Sequence, residues 1–118
     1  MFDGTRQNPT RRIVSLWFPR LASDRVLRLR PSNGPFALTL KENNAERVYC
    51  LNPEAEQAGL HRGMPFSDAR AFCPGLQSRG ADLNADRHML LKLRRWALRY
   101  CPWVGVEGDN GLVLDISG

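Results

Sequence analysis

Apolar and polar positions near the start of the chain predict a strand followed by an amphipathic helix. Residues 12–18, RIVSLWF, are rich in β-branched and aromatic side chains and indicate a buried first strand. Beyond Pro19, apolar residues recur at the spacing of one helix face: Ala22, Val26 and Leu29. The helix is expected to end before Pro31.

The middle of the chain predicts a hairpin and two short helices. Two apolar runs, residues 36–40 and 47–51, are joined by the polar residues 41–46, which is typical of a β-hairpin. The first short helix is predicted from an Asn-Pro start over residues 52–59, and the second over residues 65–73. Glycine ends the first of them and a Pro-Gly pair closes the second.

The longest predicted helix begins near Asp82 or Asn84 and runs to about Tyr100. Its apolar stripe is expected to comprise Met89, Leu93, Trp96 and Tyr100, with Leu90 and Ala97 alongside. A second side carries the basic ridge, defined as His88, Lys92, Arg95 and Arg99. A last strand over residues 112–116 completes the order β-α-β-β-α-α-α-β, which indicates an α/β or α+β domain.

Charge and composition narrow the function classes. The 118 residues include 15 Arg and 2 Lys against 12 acidic residues, which gives a net charge of +5. This excess favours either a phosphate-bearing or acidic binding partner, or simply a basic surface that faces solvent, and the charge alone does not distinguish the two. The ordinary hydrophobic content excludes a disordered tail, and the apolar runs are too short to span a membrane. Residues 1–10 contain no signal sequence and are expected to form a flexible leader.

The sequence contains no motif for a cofactor, a metal ion or a catalytic nucleophile. Cys50, Cys73 and Cys101 lack metal-ligand spacing and are odd in number, which predicts free thiols in a cytoplasmic protein. His61 and His88 are also far apart. No phosphate-binding glycine loop is present. We therefore predict no cofactor and no metal site.

A family resemblance goes further than these patterns. Residues 58–76, AGLHRGMPFSDARAFCPGL, resemble the fingers signature of Y-family lesion-bypass DNA polymerases, in which G-V-R-x-G-M-P precedes a short helix ending in C-P. RIVSLWFPRLASDRVLRL resembles the first palm strand and helix of that family, and LVLDISG resembles its L-D-V-T-G strand. The resemblance implies a partial palm over residues 11–31 and 81–118, with a ferredoxin-like sheet. It also implies a small inserted fingers subdomain over residues 32–80.

The same resemblance implies that the polymerase site is degenerate. Seven positions that bind metal ions or the incoming nucleotide in the family carry other residue types here: Ser15, Trp17, Arg20, Pro53, Glu56, Asn110 and Gly111. Phosphoryl transfer needs carboxylates to hold divalent cations, and four of these positions have lost them. Asp109 lies beside the lost acidic pair and is the one candidate substitute. Trp17 either fills the core or plugs the former nucleotide pocket.

The resemblance is greatest to the catalytically degenerate, ImuB-type members of the family. It implies a non-catalytic adapter in damage-induced translesion synthesis, with an error-prone C-family polymerase, a RecA-like accessory protein and the sliding clamp as partners of the full-length protein. The alternatives are an active lesion-bypass polymerase and a plain DNA-binding module that contacts DNA weakly through the basic ridge. The short palm is also expected to leave a sheet edge exposed, through which copies of the chain could associate.

Overall fold

The structure is a computed structural model that describes residues 12–117. The predicted leader, residues 1–10, lies outside the described residues. Within the described range the elements follow the order β1 (Ile13–Trp17), α1 (Leu21–Leu29), β2 (Phe36–Glu42), β3 (Ala45–Leu51), α2 (Pro53–Gln57), α3 (Phe66–Phe72), β4 (Gln77–Gly80), α4 (Leu83–Ala97), β5 (Trp103–Glu107) and β6 (Gly111–Asp115). The α/β class predicted from the sequence is confirmed.

The chain divides into two compact units. One unit runs from Arg20 to Asp86, and the other joins the described residues up to Pro19 with those from Arg87 onward. Each unit contains one three-stranded sheet. The boundaries of the palm and fingers segments, drawn from the resemblance at residues 32–80, stay a prediction.

The discontinuous unit is built on the antiparallel sheet β1-β6-β5. Strand β6 lies in the middle, and β5 and β6 are joined by a tight turn at residues 108–110. One face of the sheet is buried at Val104 and Leu112, and α4 contributes the buried Leu90 and Ala97 to the same unit. The guanidinium Nε of Arg94 donates to the carbonyl oxygen of Val104 over 2.9 Å, which fastens α4 to β5.

The continuous unit holds the sheet β3-β2-β4, with β2 in the middle. β2 and β3 form the predicted hairpin, which turns at Asn43 and Asn44, both with positive φ. β4 pairs parallel with β2. Two clusters of buried side chains pack on this sheet. One comprises Ala37, Val48, Leu51, Ala55, Leu60, Ala69 and Leu76, and the other comprises Ala22, Phe36, Leu38 and Cys50.

Three features of the secondary structure differ from the sequence-based prediction. β4, with the polar sequence QSRG, was not predicted because its strand conformation depends on pairing with β2 and not on its own apolar pattern. β5 is not predicted from the sequence, because Pro102 directly before it and the glycine in its middle interrupt the pattern of apolar and polar residues that indicates a strand. Helix α4 ends at Ala97, before the predicted Tyr100, and the chain continues in single turns that bond back to Trp96 and Ala97.

The predicted apolar stripe of α4 is wrong at its C-terminal half. Trp96 is 58% exposed and Tyr100 is 71% exposed, whereas Leu90 and Ala97 are buried. The buried side of the helix is therefore centred on the two residues that the prediction placed alongside the stripe. None of the described helices is both long enough and apolar enough to cross a membrane.

Candidate functional site

Strand β1 carries the first two of the seven positions that the resemblance predicts to be degenerate. Ser15 pairs with Val113, and Trp17 pairs with Gly111, on the neighbouring strand β6. Because alternate residues of a strand project to the same side, Ser15 and Trp17 share one face of this sheet. Trp17 is 71% exposed, so its ring does not fill the core of the described residues. This face offers a hydroxyl and an indole where a polymerase of the resembled family has carboxylates.

The next two positions are the last residue of the turn before β6 and the first residue of β6. The carbonyl oxygen of Asn110 accepts a hydrogen bond from the backbone N–H of Phe18 over 2.8 Å. Gly111 is buried, and a Cβ added there would lie 2.8 Å from the carbonyl oxygen of Glu107 and 3.3 Å from that of Leu16. Glycine is thus required by the close approach of two backbones, and a glutamate does not fit without a shift of the strand.

Asp109 is the carboxylate nearest in sequence to the lost acidic pair. It is exposed, in the turn between β5 and β6. Within residues 12–117, no three His, Cys, Asp or Glu side chains come together in a group that could hold a metal ion. The described residues therefore do not gather a set of three such side chains around Asp109.

The continuous unit brings two further degenerate positions together. Arg20, just before α1, places Nη2 3.0 Å and Nε 3.3 Å from Oε1 of Glu56 on α2. Their side chains are 35% and 45% exposed. The pair is locally neutral, because each charge is matched by its neighbour. Arg20 therefore uses two of its donors on a carboxylate of its own chain, so its guanidinium is not free to attract a triphosphate.

Pro53 holds a structural position, the first residue of α2. The preceding Asn52 is buried and caps the helix, since its Oδ1 accepts from the backbone N–H of Ala55 over 3.0 Å. Proline suits this place because its missing N–H would have no helical partner there. The tyrosine hydroxyl that the resembled family has at this position has no counterpart in Pro53.

The basic ridge is exposed along its whole length. His88, Lys92 and Arg95 lie on α4, and Arg99 follows in the turns after the helix end. Beside the ridge lies a feature that the sequence pattern hid: Trp96 and Tyr100 form an exposed ring pair, with centroids 5.4 Å apart and planes inclined at 59°. Trp96 and Tyr100 have the same helical spacing as the apolar residues of a core. Their exposure therefore becomes visible only in the folded structure.

Comparisons with known proteins place the chain in a family. The family model of the impB/mucB/samB family matches residues 21–118. Protein ImuB of Caulobacter vibrioides is 43% identical over 60 residues, in the strain NA1000 / CB15N and equally in the strain ATCC 19089 / CIP 103742 / CB 15. That match spans 51% of this chain and 13% of the length of ImuB.

Solved structures support the same fold. A post-insertion binary complex of Dbh DNA polymerase superposes with a TM-score of 0.82 at 16% identity, covering 88% of this chain and 31% of that chain. DinB from Sulfolobus solfataricus superposes with a TM-score of 0.74 at 17% identity, again over 88% of this chain and 31% of that chain. The chain thus spans about a third of these polymerases. Because the family model covers most of its length, the chain belongs to the impB/mucB/samB family.

Proposed function

We propose that this chain belongs to a non-catalytic Y-family homologue that acts as an adapter in DNA-damage-induced translesion synthesis and mutagenesis. The observation that carries the proposal is the absence of carboxylates from β1 and the start of β6, where Ser15, Trp17, Asn110 and Gly111 stand. Two-metal phosphoryl transfer depends on such carboxylates to hold the cations and to stabilise the developing charge.

A second observation supports the loss of nucleotide binding. The ion pair of Arg20 with Glu56 replaces an aromatic side chain and an arginine that the resembled family uses on the nucleotide. A carboxylate at this place repels a triphosphate, and its arginine partner is already engaged. Metal binding and triphosphate binding are thus both impaired, by changes in different elements.

The adapter's partners follow from the resemblance to ImuB-type proteins. They are an error-prone C-family polymerase, a RecA-like accessory protein and the sliding clamp, with weak DNA contact through the basic ridge. Since the chain spans a small share of its relatives' length, these partners are assigned to the whole protein. The net charge of +5 supports contact with a phosphate backbone.

Primer extension tests the proposal. The whole protein that contains this chain is incubated with a primed template, Mg²⁺ and the four nucleotides, beside an active Y-family polymerase as positive control. We expect no extension, and no change when Asp109 is replaced by Asn. Extension that disappears in Asp109→Asn but persists in the exposed control Asp68→Asn would establish an active polymerase with a relocated ligand.

A mutagenesis assay in cells tests the adapter role. Deletion of the gene is expected to lower the damage-induced mutation frequency, and Asp109→Asn is expected to leave that frequency at the wild-type level. A fall in the Asp109→Asn strain equal to that of the deletion strain would instead assign catalysis to this chain.

A further inference from the structure

The outward side of helix α4 is strongly basic beyond its first turn. From Arg87 to Val106 the sequence contains five Lys or Arg residues and no Asp or Glu. The basic ridge occupies the centre of this side, and all four of its residues are exposed. No carboxylate of the same segment competes with an anion for these cations.

The aromatic pair borders the ridge. At about 100° per residue, Trp96 lies one turn beyond Lys92 and roughly 40° around the helix from it. Tyr100 follows four residues later, held by the hydrogen bonds of its N–H and of the Cys101 N–H to the carbonyl oxygen of Ala97, 3.0 Å and 3.1 Å long. The rings are inclined at 59° and are not stacked face to face. Both residues are largely exposed, Trp96 to 58% and Tyr100 to 71%.

We propose that this surface, His88, Lys92, Arg95, Trp96, Arg99 and Tyr100, binds single-stranded DNA. The ridge cations lie along the phosphate backbone, and unstacked bases pack on the rings of Trp96 and Tyr100. Sites for single strands combine these two features, since every base has a π face and every nucleotide a phosphate. A duplex also presents phosphates, but its bases stay stacked on one another. It is therefore expected to contact the basic ridge and not the rings of Trp96 and Tyr100.

A single strand fits this surface better than an apolar protein partner does. Leu98, between the two rings in sequence, is also 40% exposed. Cationic side chains nevertheless border the rings, and charged residues are depleted from the core of a hydrophobic interface. The inference rests on the proposed function in one respect, because it specifies the nucleic acid that the adapter contacts. It requires no polymerase activity.

Fluorescence anisotropy with a labelled oligo-dT and with a duplex of equal length tests the proposal on the 118-residue chain. We expect tighter binding to the single strand. Trp96→Ala and Tyr100→Ala should each weaken oligo-dT binding by at least about fivefold, in line with the loss of one base stack, and leave duplex binding unchanged. Trp96→Phe should restore most of the loss.

Phe72→Ala is the matched control. Phe72 is an aromatic residue at the end of α3, 67% exposed, and its removal should leave both affinities unchanged. Thermal melts of all variants confirm that each is folded. Should Trp96→Ala fail to fold, Trp96→Gln preserves the test, because it removes the ring at an exposed position with a side chain that suits a helix.

The salt dependence separates stacking from charge. Arg95→Gln and Arg99→Gln should each reduce the slope of log K against log salt by about 0.7 for oligo-dT, whereas Trp96→Ala should keep the wild-type slope. Equal loss of duplex and oligo-dT binding in Trp96→Ala would overturn the stacking role. Unchanged oligo-dT affinity in both Trp96→Ala and Tyr100→Ala would overturn the proposal itself. The same holds if these variants abolish self-association of the chain and leave DNA binding unchanged.

Failure of this inference is distinguishable from failure of the proposed function. Primer extension that depends on Asp109 would overturn the adapter role and leave the anisotropy result intact. Loss of the ring-dependent binding would leave the absence of extension intact.

Discussion

Asn52 is a buried polar residue whose side chain satisfies three backbone groups. Its Oδ1 accepts from the N–H groups of Ala55 and Phe36, and its Nδ2 donates to the carbonyl oxygen of Gly34, all over 3.0 Å. One amide therefore caps α2, ties it to the first residue of β2 and anchors the preceding loop. Polar groups buried to this degree stabilise a fold only when all are bonded.

Replacing Asn52 tests this account. Asn52→Ala is expected to lower the free energy of unfolding by about 2–4 kcal/mol, because the cap is lost and buried donors are left without partners. Asp82 is the matched control, since its Oδ1 caps α4 through the N–H of Ala85 at an exposed site. Asp82→Ala should cost only about 1 kcal/mol, as water replaces the cap. Equal losses in urea titrations of the two variants would contradict the role of burial.

Gly111 lies where two backbone carbonyl oxygens leave no room for a side chain. Gly111→Ala is expected to lower the free energy of unfolding by about 1–3 kcal/mol, because the new Cβ meets the carbonyl oxygens of Glu107 and Leu16. Gly80→Ala is the control, as nothing lies within 4 Å of a Cβ built at that strand position. Restoring a family carboxylate through Gly111→Glu should therefore destabilise the sheet without creating a metal site, which Mn²⁺ titration would check.

At the scale of elements, an ion pair joins α1 to the start of α4. Nε of Arg25 lies 2.7 Å from Oδ1 of Asp86, with side chains only 14% and 8% exposed. The second oxygen of Asp86 is buried and has no hydrogen-bond partner among residues 12–117. The pair therefore replaces only part of the hydration that both charges lose on burial, and its net stabilisation is expected to be small.

Removing one partner of this ion pair and replacing both partners are expected to change the free energy of unfolding very differently. Asp86→Ala leaves the Arg25 charge buried and uncompensated, which is expected to cost about 3–5 kcal/mol. The double variant Arg25→Met, Asp86→Leu should be as stable as the wild type or more so, since apolar side chains of similar volume need no partner. Thermal unfolding followed by circular dichroism measures both. A double variant as unstable as Asp86→Ala would show that the pair contributes net stability.

At the scale of the whole molecule, one sheet has open edges and exposed apolar residues. Among the described residues, β1 and β5 are the two outer strands of their sheet. Ile13, Leu16 and Trp17 of β1 are 49%, 39% and 71% exposed. Outer strands with unpaired backbone groups and apolar side chains pair readily with another chain.

The chain is therefore expected to self-associate as its concentration rises. Sedimentation velocity over a wide concentration range should show the increase in mass, and Leu16→Lys with Trp17→Lys should shift association to higher concentration, because charge on an edge strand opposes pairing. Leu29→Lys, at an exposed position of α1, is the control and should leave association unchanged. A monomer at every concentration would contradict the prediction.

Much of the secondary structure was accessible from the sequence. The hairpin, α1, the two short helices and most of α4 follow from apolar periodicity and from Asn, Pro and Gly at element ends, because these signals are local. β4 could not be predicted from the sequence, since the polar segment QSRG becomes a strand only by pairing with β2. The seven positions interpreted as degenerate come from a resemblance in sequence, because a change of residue type needs no coordinates, and their loss of function stays a prediction.

Contacts between distant residues were decided by the tertiary structure alone. The sequence placed Arg20 and Glu56 at two altered positions, but only the fold brings them into an ion pair. The sequence grouped Trp96 and Tyr100 with core residues, and the fold leaves them exposed beside the basic ridge. Local patterns fix which side of a helix is apolar and what charges it carries. Which of those side chains is covered depends on the elements that pack against it, and these come from remote parts of the chain.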